Sequence, residues 1–164
     1  MSKTLNPWHK LFLALTALLL ASCSASLTTI RDSGDPAALS GFLSEEESWQ
    51  REEALKAIAN YQVKNLEGQV LSLARDKNEW WWVRAQAITT LGKLNSLQAI
   101  PLMIEIAENA DHDELRSRAV EALGMTQSPE AKTCLEAIIR EEQSYLVRFA
   151  AMAALDKYES EPSK

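Results

Sequence analysis

Trp82-Val83-Arg84-Ala85-Gln86-Ala87-Ile88-Thr89-Thr90-Leu91-Gly92 decides the fold, because its skeleton returns along the chain. An arginine, an alanine three residues on and an aliphatic residue four beyond that recur four times. The copies are Arg51–Ala54–Ile58, Arg84–Ala87–Leu91, Arg116–Ala119–Leu123 and Arg148–Ala151–Leu155, spaced by 33, 32 and 32 residues. A unit of that length cannot bury its apolar face alone. It has to stack on its neighbours, which predicts a small α-solenoid whose work is binding.

Helix marks surround each copy. Ser44 with Glu47 and Asp111 with Glu114 fit capping boxes, and Ser128-Pro129 sets an N-cap before proline at the first helical position. These marks predict helix pairs near 47–61 with 66–76, 80–93 with 96–109 and 112–125 with 128–141, and a last helix near 144–158. No stretch alternates like a half-buried strand, so the domain reads as all-α. Aligning the copies makes Ala54, Ala87, Ala119 and Ala151 equivalent core positions, followed by Ile58, Leu91, Leu123 and Leu155. Alanine four residues from a larger aliphatic lets helix backbones approach while the larger group fills the groove. In the second helices Val70, Met103 and Leu135 correspond, as do Leu73, Ile106 and Ile138.

With Leu115-Arg116-Ser117-Arg118-Ala119-Val120-Glu121-Ala122-Leu123-Gly124 beside the opening stretch, and Ala99-Ile100-Pro101-Leu102-Met103 at a second helix, the pattern resembles HEAT repeats. It is most similar to the short bacterial type related to phycobilin lyase repeats. The resemblance covers about residues 47–158 and implies an armadillo-like superhelix of about four helix pairs. Arrays of this kind serve as scaffolds, inhibitors and lyase subunits alike, so it implies a fold more than an activity. Asp156 stands where two other copies have Gly92 and Gly124, and Ala59 stands there in the first, which marks those copies as ends.

The N-terminus carries a second signal. Lys3 and Lys10 precede an apolar run, Leu11 to Leu20, too short to span a bilayer and fit for a secretory signal. Leu20-Ala21-Ser22-Cys23 resembles the bacterial lipobox. That resemblance implies a signal peptide over 1–22, a lipidated Cys23 and a mature chain tethered to a membrane. Cleavage near Ser22 or Ala25 as an ordinary signal peptide is the competing reading. Ser24 in place of an aspartate implies, by resemblance to the enterobacterial sorting rule, the outer membrane. The stretch 23–35, rich in Ser, Thr, Asp and Gly, reads as a flexible tether, 36–158 as the repeat domain and 159–164 as a polar tail. A short helix within 36–44, with Leu39, Phe42 and Leu43, is placed to cap one end of the stack.

Charge narrows the partners. The net charge is −6, and removal of residues 1–22 takes two lysines and no acid, leaving −8. Such a surface argues against nucleic acid and anionic lipid, which need clustered Lys and Arg. Cys134 would be the only other cysteine, and it sits where Leu102 stands one repeat earlier, so it reads as a small buried hydrophobe.

Candidate binding residues fall in three places. Trp80-Trp81-Trp82 puts three rings about 100° apart on one helix start, so they cannot share one core face. Trp80 and Trp81, whose counterparts are mostly polar, are either partner anchors or staples over the preceding turn, and Trp82 should be buried like its counterpart Trp49. On the second helices, expected to line the concave side, the variable residues Leu71, Ile104, Glu105, Glu108 and Arg140 form a mixed strip suited to a peptide or helix. The last helix, from Tyr145 to Leu155, is apolar nearly all round. Phe149 and Met152, with Ala150 and Ala153, therefore read either as a contact with a partner or second copy, or as an end face that tolerates water. The repeated arginines read as inter-repeat ties to acids such as Asp76, Asp111 or Glu142 rather than as a binding ladder.

Catalysis finds little support. The turn Asp111-His112-Asp113-Glu114 reads as capping, since consecutive residues do not converge on a metal. HExxH, GxSxG, CxxC and a Gly-rich phosphate loop are absent from the sequence. The sequence thus predicts a non-enzymatic envelope lipoprotein that binds another protein, with no cofactor. The alternatives are an accessory subunit of a lyase or modifying enzyme, or a purely structural lipoprotein.

Overall fold

The computed structural model describes residue 32 and residues 34–160. The segments read as signal peptide, lipidated Cys23 and most of the tether, together with residues 161–164 of the polar tail, lie outside the described residues. Eight α-helices follow one another among those described: α1 Pro36–Phe42, α2 Ser48–Asn60, α3 Glu67–Arg75, α4 Trp81–Lys93, α5 Ile100–Asn109, α6 Asp113–Thr126, α7 Pro129–Glu141 and α8 Tyr145–Ser160. The chain is an all-α solenoid. Short 3-10 turns, Lys64–Leu66 and Leu97–Ala99, lead into α3 and α5. The third pair has no such turn, because Ser128 caps α7 directly: its Oγ accepts from the Ala131 N–H at 3.0 Å, with proline following.

The other two expected caps do not form. At the start of α2, Glu47 is the N-cap without a side-chain hydrogen bond, and the Ser44 hydroxyl turns back to donate to the Ser40 carbonyl. At α6 the cap residue is His112, again without a side-chain bond. These helix starts are held by packing and by the arginine network described below.

Most of the repeat-equivalent residues form the core as their register requires, while Leu73 and Leu155 are only half-buried. Ala54, Ala87, Ala119 and Ala151 are fully buried, as are Ile58, Leu91, Leu123, Val70, Met103 and Leu135. Each aliphatic side chain removed from water contributes roughly 1.5–3 kcal/mol. Helix α1 packs on α2 and buries Leu39 and Leu43, closing that end of the stack as expected. Cys134 is a buried free thiol, pushed up to about 11 by burial and by the nearby charge of Glu108.

The first helices of successive repeats, α2, α4, α6 and α8, pack side by side, and each second helix packs on the first helix that follows it. Glycine and alanine set the spacing of the first-helix layer. A Cβ on Gly92 would lie 2.8 Å from that of Ala122, and one on Gly124 would lie 2.6 Å from that of Ala154. At the first junction Thr90 stands in the alanine's place, and its buried hydroxyl donates to the Leu55 carbonyl of α2 at 2.9 Å. The second helices touch one another much less. The layer with the shorter spacing lies inside a bend, so the first helices form the concave side, contrary to the expectation that the second helices would.

Between the two helices of each repeat the chain turns through a residue of positive φ: Gln62 at 54°, Asn95 at 55° and Gln127 at 48°. The spacing of these residues matches that of the arginines, and none of them is glycine.

Candidate interaction surfaces

Each repeated arginine ties a helix start to a neighbouring loop or helix end. Arg51 donates to both oxygens of Glu79, at 2.6 and 2.8 Å, and to the carbonyls of Glu45 and Glu46. Glu79 in turn accepts the Trp80 N–H at 2.8 Å, so one guanidinium fixes the entrances of α2 and α4 together. Arg116 repeats the device with Glu142 at 2.8 and 3.1 Å, and Glu142 accepts the Ser144 N–H at the entrance of α8. Arg84 donates to the Ala74 carbonyl and Arg148 to that of Glu142. The structural reading of the arginines holds, although Glu79, not Asp76, receives Arg51, and Arg84 and Arg148 donate to backbone carbonyls in place of acids.

Asp113 joins the second network. It accepts from the Ser144 hydroxyl at 2.5 Å and from Arg116 at 2.8 Å. These two contacts hold its carboxyl below the usual aspartate range, the serine bond first.

The three tryptophans separate into different roles. Trp80, the N-cap of α4, folds its ring onto Trp82 at 4.7 Å and 17°, yet stays 57 % exposed. Trp82 is half-buried against the core, as is Trp49. Trp81 meets Trp82 edge-on at 5.9 Å and lies over the His112 ring at 5.4 Å and 27°, bridging α4 to the start of α6. His112 is therefore an aromatic neighbour of the cluster. Among the described residues no group of His, Cys, Asp and Glu is placed to hold a metal.

An open trough runs along the first-helix layer. One part, about 470 Å³, takes Glu52 from α2, Trp81, Trp82, Ala85, Gln86 and Thr89 from α4, Ser117 and Glu121 from α6, and Leu146 from α8. A second part, about 600 Å³, shares Ser117, Glu121 and Leu146 and continues past Met125, Phe149, Ala150 and Ala153 to Lys157. Many of these lining residues stand one, two or five positions after a repeated arginine, which are positions that change from copy to copy: Glu52, Ala85, Gln86, Thr89, Ser117, Arg118, Glu121, Phe149, Ala150 and Ala153. The same comparison of repeats that located the core would have located the trough, had the variable residues of the first helices been read in place of those of the second. Its charges are partly self-paired, Arg118 with Glu121 at 2.8 Å and Glu52 with Lys56 at 2.7 Å.

The expected second-helix strip does not survive as one surface. Leu71 is a core residue, 8 % exposed, and Ile104 is half-buried against the core. Glu105, Glu108 and Arg140 are exposed but have lost the apolar members that would have given them an anchor. On α8, Phe149 and Met152 are exposed at 58 % and 54 %, as are Tyr145, Leu146 and Ala153, whereas Ala150 is buried.

Helix pairs stacked in this way, with arginine ties at each entrance and an inner trough, define an α-solenoid of repeat type. Residues 35–124 and 69–156 match the family described as HEAT repeats. The chain belongs to the HEAT-repeat family. Among solved structures it is similar to the complex of CpcE and CpcF of phycocyanin lyase from Nostoc sp. PCC7120, at 18 % identity and a TM-score of 0.58, over 79 % of this chain and 67 % of that one. It is also similar to human deoxyhypusine hydroxylase in complex with glycerol, at 12 % identity and a TM-score of 0.47, over 87 % and 91 % of the two chains. No curated protein matches the sequence.

Proposed function

We propose that this chain is a lipoprotein, anchored at Cys23 in the bacterial envelope at the outer membrane, whose HEAT-repeat solenoid is a non-catalytic adaptor for another protein. The observation that carries the adaptor role is the trough: repeat-variable side chains from four first helices converge on one concave surface over a repeat-invariant core. Its apolar and aromatic groups, Trp81, Trp82, Leu146 and Phe149, are interrupted by carboxylates and a few amides and hydroxyls. That mixture suits a segment of protein with apolar anchors and basic or amide groups between them. The anchor rests on Leu20-Ala21-Ser22-Cys23 after a short apolar run. No helix among the described residues is long and apolar enough to cross a membrane.

Mass spectrometry of the mature N-terminus tests the anchor. A diacylated Cys23 is expected, and Cys23→Ala should leave the chain unprocessed or mislocalised; a free terminus at any other residue sinks that half of the reading. Crosslinking in the intact envelope through a photoreactive group at Gln86 tests the adaptor. A single dominant partner lost on Trp81→Ala supports it, and unselective products insensitive to that change oppose it.

A second reading, an accessory subunit of a lyase or modifying enzyme, is favoured by the fold shared with the CpcE and CpcF complex. A cytoplasmic lyase subunit has no use for a lipobox. The state of Cys23 therefore discriminates between the two.

A further inference from the structure

Helix α8 carries a stripe of which the adaptor role uses only Phe149. Tyr145, Phe149, Met152 and Asp156 follow one another at intervals of four, three and four residues, within an arc of about 60° on the helix. All four are exposed, Tyr145 at 72 %, and the rings of Tyr145 and Phe149 stack at 6.1 Å and 21°. They occupy the register of Asp113, Ser117, Val120 and Gly124 on α6, the face that receives the next repeat. Only Phe149 reaches the edge of the trough.

A further repeat could not approach here as closely as α6 and α8 approach the helices before them. Gly92 and Gly124 admit the following helix because they lack a Cβ, and their counterpart is Asp156. A carboxylate there fills the space in which the next backbone would lie. Among the described residues nothing pairs with it. The stripe therefore fits a helix held at the ordinary 8–10 Å separation, with side chains filling the interface.

Reversed end for end, the stripe is its own chemical complement, apolar group against apolar group and phenol against carboxylate, and that property selects the occupant. We propose that α8 pairs antiparallel with α8 of a second copy of this chain. In that register Phe149 lies opposite the partner's Met152 and Tyr145 opposite the partner's Asp156, twice over by the two-fold axis. The apolar pair forms the centre, and each phenol O–H donates to a carboxylate at the rim. Such a contact is isologous, each side presenting the same patch. A parallel pair would set the two Asp156 carboxylates against each other, a repulsion that the antiparallel arrangement avoids. One helix pair buries less than the roughly 800 Å² per partner of a standard stable complex, so the dimer is weak and concentration-dependent. This contact shares Phe149 with the trough, whereas Tyr145, Met152 and Asp156 lie outside it.

Charge reversal across the axis tests the register. The full chain in mild detergent should self-associate as its concentration rises, followed by sedimentation. Phe149→Glu or Met152→Lys alone should weaken association at least about tenfold, with helical content unchanged because both sites are exposed. Mixing the two variants should restore pairing, since the introduced carboxylate and ammonium meet only in the antiparallel register. Trp81→Ala, in the trough, should have no effect on pairing. A wild-type chain that is monomeric at every concentration, single variants that associate like the wild type, or a mixture with no recovery would each overturn the proposal.

Discussion

Gly124 and Ala154 meet where two first helices come closest, so that a Cβ on the glycine would lie 2.6 Å from that of the alanine. The obstructing atoms include the Ala154 Cα at 3.2 Å, so a rotamer change cannot relieve the clash. Gly124→Ala should therefore destabilise the fold by about 1–3 kcal/mol despite its favourable helix propensity. Gly68→Ala is the control: nothing lies within 4 Å of a Cβ there, and the substitution should be neutral or stabilising. Urea unfolding of both variants measures the contrast, and equal effects would show that close packing does not limit the first-helix layer.

Arg51 and Glu79 are nearly buried side chains, 13 % and 6 % exposed, and neither can be left alone cheaply. Arg51→Ala should cost about 3 kcal/mol, because the carboxylate of Glu79 stays behind with its charge uncompensated. Arg51→Lys should recover only part of that, since an ammonium cannot give Glu79 the same paired contact while reaching the Glu45 and Glu46 carbonyls. Full recovery by lysine would reduce the network to a simple charge pair.

The tryptophans make separable predictions. Trp81 lines the trough and bridges to His112, so Trp81→Ala should weaken partner binding by about 2 kcal/mol or more and also loosen the α4–α6 junction. Trp80 lies outside the trough against Trp82, and Trp80→Ala should lower thermal stability by less than about 1 kcal/mol and leave affinity unchanged. A larger loss of binding from Trp80 than from Trp81 would move the partner site off the concave side.

Asp113 gives the acid response a named source. Its folded carboxyl titrates below the ordinary value of 3.8, so its contribution is complete above that pH and is lost as pH falls through the depressed value. Ser144→Ala removes the leading cause. The stability gap between this variant and the wild type should be constant near neutrality and close below pH 3.8. A gap that persists in acid would assign the serine another role.

Much of this architecture is legible in the sequence because the repeat compares the chain with itself. Four alanines at one register predict four buried contacts, and all four are fully buried. The curvature was not legible, since it depends on which layer is closer, and that is set by pairs such as Gly92 with Ala122 that lie in different repeats. The same blind spot put a core residue on the candidate strip: Leu71 reads as a variable position on its own helix but faces the core once the layers are assembled. Capping boxes failed for a related reason. The pattern at Ser44 and Glu47 is local, whereas Arg51 anchors that turn through a residue 28 positions away.

The three turns at Gln62, Asn95 and Gln127 carry a consequence for stiffness. A left-handed conformation costs an L-residue about 1–2 kcal/mol, which glycine at the same place would avoid. What the side chain contributes is visible at Gln62, whose Nε2 donates to the Ala59 carbonyl of its own repeat and, at 3.2 Å, to the Lys93 carbonyl of the next. The corner that reverses the chain is also a strut between repeats. Glycine at this corner would relax the backbone and leave the solenoid springier, its trough opening and closing over a wider range of pitch.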